Sequence, residues 1–154
     1  MLSRDAGHGT AELTITILDS AGRVKEVKRI VGNVFLTCGV QILWQFFAGQ
    51  LANSNIGICS GDGSASASSS QTCLQGTHQQ CVPASSIDIN GNQLTVTAKF
   101  GGDQGNYSWN EVAVADLAHI CPQCSYAPID RLAAAIGVKQ PGETWVVQMT
   151  LSIS

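Results

Sequence analysis

The sequence predicts a mainly β domain, an antiparallel sandwich or jelly-roll-like fold with one early α-helix over about 33–48. Three observations carry this. The segments 11–19 and 143–154 alternate apolar and polar residues at the two-residue period of a half-buried strand. Asn90-Gly91 lies between two more alternating segments, the strongest short hairpin signal. Only residues 33–49, NVFLTCGVQILWQFFAG, carry helical periodicity.

Taken in order, residues 1–10 read as a flexible arm and 11–154 as a single β-rich domain. In 11–19, Leu13, Ile15 and Ile17 face one way and Glu12, Thr14 and Thr16 the other. Ser20-Ala21-Gly22 is a turn into a second strand over 23–31, giving a hairpin that either folds with the domain or extends to a neighbour. Asn33 is the expected N-cap of the helix and Gly49 its C′ residue. Leu36, Val40, Leu43, Trp44 and Phe47 form one apolar face, while Phe35, Ile42 and Phe46 make the other side apolar too. Such a helix needs cover over most of its circumference. It is either a plain core helix or one buried partly against another subunit. At about 1.5 Å per residue it is too short to cross a bilayer.

A short strand at 56–59 precedes Gly61-Asp62-Gly63 and a Ser/Ala-rich stretch to Ser70, which reads as an exposed loop. A strand begins within 81–86. Hairpin strands 87–89 and 94–100 flank Asn90-Gly91-Asn92, for which a type I′ turn is expected. Segment 107–115 alternates again, with Tyr107 and Trp109 opposite Val112 and Val114. Residues 129–137 are ambiguous, since the alanines suit a helix and the position suits a strand. Gln140-Pro141-Gly142 turns into the last strand, whose regularity predicts pairing inside a sheet. Roughly eight strands result.

Composition narrows the function classes. Charged residues are 12% of the chain, hydrophobic ones 44%, and glycine occurs 16 times. The charged share is about half the usual one, which suits a protein whose surfaces are covered in an assembly. A net charge of −3 argues against nucleic-acid binding, which needs a basic footprint. Arg23, Lys25, Lys28 and Arg29 cluster but alternate with Glu26 and Val27, as a solvated strand face or a docking patch would.

Six cysteines, Cys38, Cys59, Cys73, Cys81, Cys121 and Cys124, are many for a reducing compartment, and residues 1–10 lack the apolar core of a secretion signal. Disulfides within or between chains, buried thiols and bound metal all remain open, and six cysteines allow 15 pairings. Cys121 and Cys124 form a C-x-x-C that Cys73, His78 and Cys81 can complete as a tetrahedral zinc site, although the second half has an irregular spacing. A thioredoxin-like role needs that pair at a helix N-terminus, and its flanks show no such helix. Asp62 alone is too few carboxylates for a calcium loop. No phosphate-binding glycine loop and no G-x-S-x-G elbow occurs, so no catalytic residue is assigned. Glu111 and Asp116 are lone acids, with Glu111 placed to tie a neighbouring loop's N–H groups. Tyr107, Trp109 and Tyr126 are the residues available for stacking on a sugar.

Several landmarks together resemble small structural virion proteins of tailed bacteriophages, of the head-decoration, neck/collar or tail-fibre-associated type. The likeness covers roughly residues 30–154. It runs from Asn33 through Ala48-Gly49, Ile56-Gly57 and Gly61-Asp62-Gly63 to Leu74-Gln75. It continues with Val96-Thr97-Ala98-Lys99-Phe100, Asn106-Tyr107, Trp109 and Glu111, and ends in the alternating final strand. The chain departs from the family in its serine and alanine after the glycines, in Gly76-Thr77 after Leu74-Gln75, in Ala113-Val114 after Glu111, and in its cysteines. The resemblance implies a β-rich structural protein without enzymatic activity or cofactor. It implies a capsid decoration or cement role, or else a neck or tail position. Its partners would be copies of itself and other virion proteins, not nucleic acid or membrane, and its location the virion. Phe35, Ile42 and Phe46 of the helix region, with Arg23, Lys25, Lys28 and Arg29, are the expected contact residues.

Overall fold

The computed structural model describes residues 9–153. Its elements are β1 (Gly9–Leu18), β2 (Val24–Val31), β3 (Val34–Phe35), α1 (Thr37–Phe47), β4 (Ile56–Gly61), β5 (Gln79–Pro83), β6 (Ser86–Asn90), β7 (Gln93–Phe100), β8 (Ser108–Asp116), β9 (Ala127–Pro128), β10 (Asp130–Val138) and β11 (Thr144–Ile153). Two antiparallel sheets form, one in the order β2-β1-β11-β7-β6 and the other β3-β10-β8-β4-β5, with β9 also on β8. This is the predicted mainly β architecture with a single early helix, consistent with a β-sandwich.

The first sheet follows directly from its side-chain alternation. β11 pairs with β1 on one side and β7 on the other. The registers align Leu13 with Met149 and Val96, Ile15 with Val147 and Ala98, and Ile17 with Trp145 and Phe100. All nine side chains are buried. They pack against Ile58, Val112, Val114, Leu132 and Ile136 of the second sheet. The hairpin of β1 and β2 is therefore part of this domain, held by β11 of the same chain. Of the expected arm, Gly9 and Thr10 belong to β1, and residues 1–8 lie outside the described residues.

Three expectations change. The helix starts at Thr37, with Leu36 as an extended N-cap whose side chain makes no capping bond. Asn33 cannot cap it, because Val34 and Phe35 pair with Arg131 and Asp130 and keep that stretch extended. The orphan N–H of Thr37 instead donates to Ser69 O at 2.9 Å. Gly49 does close the helix, at φ +73°.

The 129–137 segment resolves as a strand, β10, because β8 and β3 flank it. Trp109 also departs from expectation. It packs in the same core as Val112 and Val114, 4.8 Å from Phe100 and 4.7 Å from Trp145 between ring centroids. β8 is buried on both faces, and its register with β10 breaks between Ala133 and Gly137, beside Trp109. At the β6–β7 hairpin Gly91 has φ +60° while Asn92 stays out of the left-handed region. With Asn90 opposite Gln93, glycine occupies the first central position, as in a type II′ rather than a type I′ turn.

Candidate functional site

The chemically distinctive region lies on the outer face of the second sheet, where two long loops cover β4 and β8 and α1 lies against β9. Cys59, Leu74, Ala113, Ala115 and Tyr126 form a second, smaller buried cluster there. Small side chains on β4 and β8 let the loops approach closely. Gly39 lets α1 lie on the backbone of Pro128 and Ile129, where any Cβ would collide.

All six cysteines form three disulfides, of which Cys59–Cys81 and Cys73–Cys124 pack in or against this cluster. Cys59–Cys81 links directly opposed residues of β4 and β5. Cys73–Cys124 ties the Ser/Ala-rich loop to the 119–126 turn, and Cys38–Cys121 ties α1 to that same turn. Cys121 and Cys124 thus take different partners. The sulfurs of the expected zinc set, Cys73, Cys81, Cys121 and Cys124, are consumed in bridges. No group of three metal-binding side chains occurs among the described residues.

Beneath the loops lies a buried ion pair. Glu111 and Arg131 are fully buried, with Nη2 of Arg131 donating to Oε2 of Glu111 at 2.8 Å. Both charges find further partners. The Gln75 and Gly76 amides donate to the Glu111 carboxylate at 2.8 and 3.1 Å. Arg131 donates to Gly63 O at 3.2 Å and Ala65 O at 2.7 Å. Glu111 therefore ties a loop's N–H groups as its sequence position suggested. Arg131 was not anticipated. The available signal was an Asp-Arg pair inside an otherwise apolar run, Ile129-Asp130-Arg131-Leu132. Gly61 and Gly63, expected in an exposed loop, are buried against the Glu111 carboxylate.

Further charges are placed structurally. The His78 ring and amide both bond the Asp62 carboxylate, which holds its pKa below the usual value. Asp116 accepts from Asn55 N and Ala118 N and faces His119 Nδ1 at 2.9 Å. Lys139 donates to Gly101 O and Asn106 Oδ1, and burial lowers its pKa. Asp130 is completely buried. Its Oδ1 accepts from Val114 N at 2.7 Å, Oδ2 has no partner, and burial pushes its pKa up to about 7.

The sugar-stacking candidates are largely internal. Trp109 and Tyr126 are buried, and Tyr107, half-buried, bonds Ser60, with its hydroxyl pKa pushed up to about 12 by burial. Among the expected contact residues, Phe35, Ile42 and Phe46 are half-buried, and Phe46 packs edge-on against His119. Lys25 bonds Glu143 and Lys28 reaches Ile136 O, while Arg23 and Arg29 are exposed. Among the described residues, α1 touches the domain through Gly39, the Cys38 bridge and Phe46, and its face of Leu43, Trp44 and Phe47 is left uncovered. No family model, no curated protein and no solved structure matches the chain.

Proposed function

We propose that this chain is a structural assembly subunit, a capsid decoration or cement protein of a tailed bacteriophage particle. The observation that carries the reading is a contiguous apolar face on α1, uncovered among the described residues of a domain whose loops are pinned by three disulfides. A rigid, weakly charged surface loses little conformational entropy when it is covered. The charged groups that commonly serve catalysis are spent here in tying loops: Glu111 with Arg131, Asp62 with His78, Asp116 with His119. Disulfides formed after release into an oxidising medium would toughen a shell component. A receptor-binding tip is less well supported, since Trp109 and Tyr126 lie inside the fold.

The test is a quantitative mass-spectrometric inventory of purified particles. Stoichiometric presence, with lower particle heat resistance when the gene is deleted, is the expected result. Absence from particles ends the proposal.

A further inference from the structure

We infer that the open face of α1 is a two-fold interface between two copies of this chain. The inference rests on the reading of the chain as an assembly subunit and names the surface and its partner. Phe47 is 88% exposed, Trp44 64% and Leu43 39%. Trp44 and Phe47 meet edge to face at 6.5 Å. The patch continues onto the strand ends through Ile153, 64% exposed, and Ile89, 80% exposed. Two adjoining grooves of about 440 and 450 Å³ share Phe35, Leu43 and Ile153 and make this one continuous surface. Of the described residues that line them, none is charged.

Three features select a second copy as the occupant. The first is area. Five large apolar side chains at these exposures present on the order of 600 Å², taking about 150–250 Å² for a full aromatic and somewhat less for an aliphatic. That is most of the roughly 800 Å² per partner of a standard interface, and it reaches the upper end of what a monomer normally leaves open. The second is shape. A two-fold interface brings the same patch to itself, so the patch must hold both knob and hole. Phe47 and Trp44 project, and the groove between α1 and the strand ends at Gly9 and Ile153 receives. The third is charge. An uncharged patch meets its own copy without repulsion, and no charged side chain among the described residues lines these grooves.

The experiment is sedimentation velocity on the purified chain from 1 to about 100 µM, with Phe47→Glu and the control Val24→Glu. Val24 is also apolar and 62% exposed, but sits opposite Leu18, at the end of β1 away from Gly9 and this surface. Expected are a dimer for the parent and the control, and at least a 100-fold weaker association for Phe47→Glu with an unchanged melting temperature. A parent that stays monomeric throughout overturns the inference. So does a dimer that Phe47→Glu leaves intact. Should the parent be monomeric and removal of residues 2–8 raise binding of an apolar dye, the chain's own N-terminal segment is the occupant and the two-fold interface is again excluded. The particle inventory reads separately. A monomer found in particles sinks the interface alone, and a dimer absent from particles sinks the assembly role alone.

Discussion

The space between the two sheets and the outer face of the second sheet are both closed to water, by different means. Between the sheets, burial is apolar and repetitive: Leu13, Met149 and Val96 stand in one row, and Ile17, Trp145 and Phe100 in another. On the outer face the covering segments are loops poor in apolar side chains and one helix whose Leu43, Trp44 and Phe47 are exposed rather than turned onto the sheet. Three disulfides and the Glu111–Arg131 pair hold them instead. Regular strands can bury enough side chain to order themselves, at about 25 cal/mol per Å². A Ser/Ala-rich loop cannot, so its order comes from cross-links and from hydrogen bonds to a charge already placed.

The comparison can be broken most severely at the bridge from α1. Replacing Cys38 and Cys121 with serine opens a link spanning 83 residues. The chain-entropy model gives a loss of about 4–5 kcal/mol, seen as a melting temperature lower by about 10–15 °C. Hydrogen exchange should then accelerate in α1 and the 119–126 turn before β1, β7 and β11. Simultaneous loss of protection would mean that the two regions are one cooperative unit.

Next comes Arg131→Met, which leaves Glu111 buried and without its counter-charge. The expected loss is about 4 kcal/mol in a denaturant titration. The double variant with Glu111→Gln should lose less than the two single losses added together. Additive losses would show that the two side chains act independently.

Leu13→Ala tests the apolar side of the contrast and should cost about 3 kcal/mol. Unlike the first two, it should leave exchange in the Ser/Ala-rich loop no faster than global unfolding requires. Preferential loosening of that loop would contradict the division.

The last test is a pH dependence. Asp130 is held above its ordinary value of 3.8, at about 7, so the folded chain retains its proton where the unfolded chain has lost it. This contribution to stability is intact below about pH 4, declines as pH rises and levels off above about 7, for a total on the order of a few kcal/mol. Asp130→Asn should flatten that slope in melting curves taken from pH 4 to 8. A slope that persists unchanged would locate the titration elsewhere.

Much of the apolar core was legible because alternation is a local signal. Ile15 and Val147 announce their faces from their immediate neighbours, and the last strand is paired on both sides as its regularity required. The helix boundary was not legible. Asn33 has the right chemistry for a cap, but pairing of Val34 and Phe35 with β10 overrides that local preference. β10 itself could not be assigned from its alanines, since its state depends on β8 and β3. In the outer layer only the role of Glu111 showed in advance. Its partner Arg131, the buried Asp130 and the pairing of six cysteines are set by long-range contacts that no short window contains.

The placement of β11 carries one more consequence. The first strand pairs with β2 at once, but its other edge finds a partner only in β11, so that edge must wait on the ribosome until Thr144–Ile153 is synthesised. Until then the apolar edges of β1 and β7 face each other across a missing strand. Folding of that sheet is thus a late event, dominated by contacts distant in sequence and slow for that reason. Chaperone capture during translation would be most valuable in that interval.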